Sequence, residues 1–146
     1  MSTATDVSTS VVDPPRDIVE LEVPADAAYV AVVRTATAGL AARLDLTLDR
    51  IEDLRIAIDE ACTLLLGSSA DARLHGTISC LFTLDAGALT VEVSGPAVQL
   101  PEPQAYSWAV LSALVDQLTC GQDEGRDDDR RTWLRLVVRA GTGAWS

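Results

Sequence analysis

Apolar and acidic residues alternate through IVELEV, residues 18–23, and the run stops at Pro24. A period of two closed by proline predicts a half-buried strand. From Ala25 the spacing changes: Tyr29, Val33, Ala36, Leu40 and Leu44 form one helical stripe, ended by LDLTLD. A second helix is predicted over 50–66, opened by a capping box of Asp49 and Glu52 and stopped at Gly67. Its buried stripe is Ile51, Leu54, Ile58, Ala61 and Leu65. At about 100° per residue, Glu60 points nearly opposite that stripe and shares its face with Asp53, Ile56, Thr63 and Leu64.

GTISCLFTL and ALTVEVS then read as two strands joined by a short hairpin loop at Asp85, Ala86 and Gly87. A proline-bearing connection leads to a third predicted helix over 107–119, with Leu111, Leu114, Val115 and Leu118 on one side. CGQDEGRDDDRR reads as a solvated charged loop, and TWLRLVVRA alternates as a last strand. The order β-α-α-β-β-α-β predicts an α+β fold, a two-layer sandwich with a mixed or antiparallel sheet covered by helices on one face. Residues 18–140 form the domain, between a disordered N-terminal tail (1–17) and a C-terminal tail (141–146).

Charge narrows the function. Twenty-two acidic residues against eleven basic ones give a formal charge of −11, which argues against direct nucleic-acid binding, since phosphates demand a basic surface. Cys62, Cys80 and Cys120 share no CxxC spacing, and His75 is the only histidine, so no metal site is expected. There is no apolar run of membrane-spanning length and no signal-like start, so a cytoplasmic protein is expected.

The order of elements, with IDEACTLLL on the second helix, resembles the anti-sigma regulatory factors, serine-protein kinases of the histidine kinase-like GHKL ATPase superfamily. The segment LDLTLDRIEDLRIAIDEAC carries the strongest likeness. The resemblance implies a Bergerat-type GHKL sandwich with nucleotide held between sheet and helices. It places Glu60 as the general base. One turn on, where the family has a magnesium-ligating asparagine, this chain has Leu64. The family's DxGxG turn reads VSGPA, so Val93 replaces the adenine-reading aspartate, Gly95 survives and Ala97 replaces the second glycine. The lid is reduced to residues around QLPEPQA, and the phosphate-holding helix start becomes YSWAVL with a bulky Trp108.

These departures imply a degenerate nucleotide site in which Glu60 is vestigial and ATP with Mg²⁺ binds weakly or not at all. The leading expectation is an anti-sigma factor that sequesters an alternative sigma factor and is released by an anti-anti-sigma protein of the STAS type. Arg34 falls where the family carries a partner-contacting arginine, and the first strand and helix fall where the family forms its homodimer. Two alternatives stay open: an active serine kinase with Glu60 as base, and a partner-switching module acting on something other than a sigma factor.

Overall fold

The computed structural model describes residues 16–67, 76–123 and 130–141. Nearly all of the two tails, His75 and half of the charged loop read from the sequence lie outside the described residues, and Asp17, read as tail, opens the first strand. Strand β1 (Asp17–Pro24) is followed by a short 3₁₀ turn, Ala27–Tyr29, and helix α1 (Val30–Ala41). Helix α2 (Leu48–Leu66) comes next, then β2 (Thr77–Asp85), β3 (Ala88–Pro96), helix α3 (Tyr106–Leu114), β4 (Gln117–Asp123) and β5 (Arg131–Arg139). The strands form one antiparallel sheet in the order β1-β2-β3-β5-β4.

The pleat explains which face the helices cover. Ile78, Cys80, Phe82 and Leu84 of β2 share a face with Leu89, Val91 and Val93 of β3 and with Leu134, Leu136 and Val138 of β5; all are buried. α2 supplies the opposing layer through Leu54, Ala57, Ile58, Ala61, Cys62 and Leu65, each at 0% exposure. Packing a helical stripe on a strand face in this way is what the two periodicities require. α1 and α3 flank α2 on the same side. The opposite face stays open. There Arg135 bonds Glu92 at 2.7 Å and lies 5.1 Å from the Trp133 ring centre, and the indole rests over Gly121, where a Cβ would come within 2.8 Å of it.

Three sequence expectations change. The third helix is shorter than 107–119: Val115 turns extended at φ −130°, ψ 166°, and residues 117–123 become the extra strand β4. Leu118 still packs against the core, but from a strand lying across from Leu136 of β5, so the order gains a strand before the last one. Helix α2 is capped by Thr47, whose hydroxyl accepts the Arg50 N–H at 3.2 Å, and not by Asp49 and Glu52; Glu52 instead pairs with Arg55. The first helix starts at Val30, after a 3₁₀ turn held by Asp26, whose carboxylate accepts the Ala28 N–H at 2.9 Å.

The β2–β3 hairpin turns through two residues at positive φ, Ala86 at 53° and Gly87 at 76°. A two-residue loop of this kind favours Asn-Gly, because alanine's Cβ is crowded in the left-handed region. Ala86→Asn or Ala86→Gly is therefore expected to stabilise the protein by about 0.5–1 kcal/mol. A urea midpoint that stays put or falls would contradict this.

Candidate functional site

The site begins with helical periodicity. Glu60 and Leu64 lie one turn apart on α2, so their side chains stack on one face. Glu60 is half-buried, and its carboxylate has no hydrogen-bond or ion-pair partner among the described residues. Leu64 is also half-buried, but it packs against the hydrophobic core. A hydrocarbon side chain gives Mg²⁺ none of the oxygen ligands it demands.

The sheet supplies the other wall. Val93 is fully buried, paired across the ladder with Cys80 on one side and Leu134 on the other. It is a core residue, with no polar atom to read a base. Gly95 is buried two residues on, beneath the end of α2. A Cβ there would sit 2.9 Å from Ile78 Cδ1 and 3.6 Å from Leu65 Cβ. The glycine is thus required by close helix–sheet packing, whatever else it does. Ala97 is exposed at the start of the β3–α3 connection. Trp108, in the first turn of α3, packs against the core and donates its indole N–H to the Pro101 carbonyl at 3.1 Å. Set against the chemistry of an ATP–Mg²⁺ complex, which asks for an oxygen ligand, a polar base reader and open backbone, the side chains of Leu64, Val93 and Trp108 do not fit.

Arg34 reaches across from α1 to α2 and pairs with Asp59, the neighbour of Glu60. The pair links two helices, unlike the i, i+4 contacts typical of a solvated surface arginine, and leaves the Arg34 side chain 30% exposed. Thr63 hydrogen-bonds the Asp59 carbonyl at 2.9 Å, which keeps this turn of α2 closed. The family resemblance singles out Arg34 but gives no sign of Asp59 as its partner, since nothing in the sequence links two residues so far apart.

Cys62 of α2 and Cys80 of β2 lie on the inner faces. Burial pushes both thiols up to about 12 from 9.0, and for Cys62 the neighbouring Cys80 and Asp59 add to the rise while Arg34 opposes it. Cys120 is exposed. A chromogenic thiol reagent at about pH 8 is expected to modify Cys120 alone in the folded protein, and the other two only after unfolding. The sign of the linked stability follows. Above 9.0 the unfolded thiols release protons that the folded ones retain, so this contribution is complete below that value and lost as pH climbs toward about 12. Rapid native labelling of more than one thiol would contradict the assignment.

Comparison with known proteins decides the family. The profile described as the histidine kinase-like ATPase domain matches residues 23–107, more than half of the chain. The chain belongs to the histidine kinase-like ATPase family. Relatives of this ATPase-type domain include the serine-protein kinase RsbW of Bacillus velezensis (strain DSM 23117), 38% identical over 108 residues that cover 72% of this chain and 68% of the relative. RsbW of Bacillus subtilis (strain 168) is 37% identical over 108 residues, with the same coverage of 72% and 68%. RsbW of Bacillus thuringiensis (strain Al Hakam) is 30% identical over 128 residues, covering 73% of this chain and 79% of its own. The match to this ATPase-type domain takes in both the α2 turn from Glu60 to Leu64 and the Val93–Gly95 strand end. No helix among the described residues is long and apolar enough to cross a membrane.

Proposed function

We infer that this domain is an anti-sigma factor, which sequesters an alternative sigma factor by protein contact and is released by an anti-anti-sigma antagonist of the STAS type. ATP has little or no part in the cycle. Leu64 carries this reading: at the place of a metal ligand stands a side chain that belongs to the core. Protein binding does not depend on that position. Arg34, partly exposed and braced by Asp59, offers a planar guanidinium to a partner carboxylate. Apolar residues stay accessible on β1, the 3₁₀ turn and α1, with Ile18 at 55%, Tyr29 at 42% and Val32 at 46% exposure, which suits a homodimer. The charge of −11 fits a basic protein partner and a cytoplasmic setting without nucleic-acid contact.

Co-expression with an alternative sigma factor is expected to yield a stable complex that Arg34→Glu weakens by about tenfold or more. A purified sigma factor that never co-elutes with the wild-type domain would sink the reading. The kinase alternative keeps two observations in its favour: Glu60 is half-exposed with no partner among the described residues, and the relatives are named serine-protein kinases. It requires phosphate transfer to a serine of the antagonist that disappears in Glu60→Gln.

A further inference from the structure

The β3–α3 connection, residues 97–105, has no regular secondary structure, yet it is tied down near its start. The Val98 N–H donates to the Thr132 hydroxyl at 3.0 Å. The Val98 carbonyl accepts from that hydroxyl at 3.3 Å and from the Gln122 amide at 2.9 Å. One hydroxyl can do both, because it accepts through a lone pair and donates its own proton. Farther along, the Ala105 N–H closes a turn on the Glu102 carbonyl at 2.8 Å.

Thr132 stands opposite Gly95 in the β3–β5 ladder and is fully buried. Among the described residues the buried polar side chains are Thr37 and Thr132, and Thr37 bonds back onto its own helix at Val33. Thr132 alone of the two serves another segment. The Val98 side chain meets the end of α2, its Cγ1 lying 3.4 Å from where a Cβ on Gly67 would be. The connection is therefore wedged between the end of α2 and the β4–β5 pair.

We propose that the Val98 backbone, through its N–H and C=O, occupies the place that the family reading gives to the nucleotide base, held there by Thr132 and Gln122. The N–H and C=O of one residue offer a neighbouring donor and acceptor, the kinds of group that the edge of adenine also presents. The buried hydroxyl is saturated by the chain itself, and an incoming base would have to break these bonds and expel Val98. The proposal rests on the family reading in which Gly95 marks the glycine turn and the residues around QLPEPQA, 99–105, the lid. It adds that the cleft is closed from within. Thr132 and Gln122 are its positioning residues.

Amide hydrogen exchange on the full chain tests this at Val98. The wild-type amide is expected to be protected. Thr132→Val should speed its exchange by about tenfold, the scale of one lost hydrogen bond. Thr132→Ser should restore protection by returning the hydroxyl. Gln122→Ala, at an exposed position, should loosen the connection without unfolding the sheet. Adenosine up to millimolar concentration should leave the wild-type rate unchanged and show no saturable binding. Val98 exchanging as fast as an unstructured amide, or at one rate in wild type, Thr132→Val and Gln122→Ala, would overturn the proposal, as would adenosine binding with Val98 still protected. Should Thr132→Val fail to fold, Thr132→Ser and Gln122→Ala carry the test. A domain that captures no sigma factor would defeat the functional reading without moving these rates, so the two fail separately.

Discussion

Calorimetric titration of this domain with ATP and Mg²⁺ is expected to show no saturable binding at micromolar ligand. The size of the loss follows from the groups replaced. On the proposed reading, Leu64 stands for a lost metal ligand, Val93 for a lost base-reading carboxylate, and Trp108 crowds a backbone cradle. Each buried polar contact forfeited costs about 1–3 kcal/mol. Three of them sum to about 3–9 kcal/mol, and each 1.4 kcal/mol is a factor of ten, so affinity falls by about two to six orders of magnitude. A nucleotide site of ordinary micromolar strength would then lie at about 0.1 mM or weaker. Leu64→Asn by itself is not expected to recover binding, since Val93 and Trp108 remain and an amide would replace a side chain that packs on the core. Sub-micromolar ATP affinity in the wild type would contradict the account and move the balance toward phosphate transfer with Glu60 as base.

The second large effect concerns Gly95. Gly95→Val is expected to destabilise the domain by about 1–3 kcal/mol, the usual cost of overpacking a filled interior. Its Cβ would meet Ile78 and Leu65 from two sides, and Ile78 is only 2% exposed, so its methyl has little room to withdraw. The measurement is the shift of the denaturant midpoint at constant slope. A variant as stable as wild type would show that α2 does not press on the strand end there. The glycine would then need another explanation, and close approach of a ligand would be the first to reconsider.

Much of the fold can be traced to pattern alone. α2 is nearly as the spacing places it, because Leu54, Ile58, Ala61 and Leu65 repeat with helical period and Gly67 ends the run with φ at 67°. β4 is the element that pattern hides. Leu111, Leu114, Val115 and Leu118 repeat as a helix would, and QLTCGQD offers little apolar content to signal a strand. What makes it one is the tertiary ladder to β5, opened by the Asp116 N–H on the Val137 carbonyl. That pairing overrides a local preference, as strand formation often does. The N-cap misreading has a similar root. Asp49 and Thr47 can both accept a helix amide, and only the extended backbone of Thr47, φ −71° and ψ 162°, decides between them.

Motif and period together single out Glu60, Leu64, Val93 and Gly95 as the proposed site. Its hydrogen bonding is not legible in the sequence. Val98 and Thr132 are thirty-four positions apart, and the Arg34–Asp59 pair spans twenty-five. Neither contact involves a residue type whose spacing announces it. Such bonds exist only once the sheet and helices have brought the segments together.

The place of β5 carries a consequence for how the molecule is made. This strand comes last among the described elements, yet it lies between β3 and β4. While the chain is still being synthesised, β3 can pair only with β2, and its other side presents bare peptide groups until residues 131–139 have left the ribosome. Half of the sheet's pairing therefore waits on that last strand, and a nascent chain stalled before Arg131 exposes a sticky seam to its neighbours.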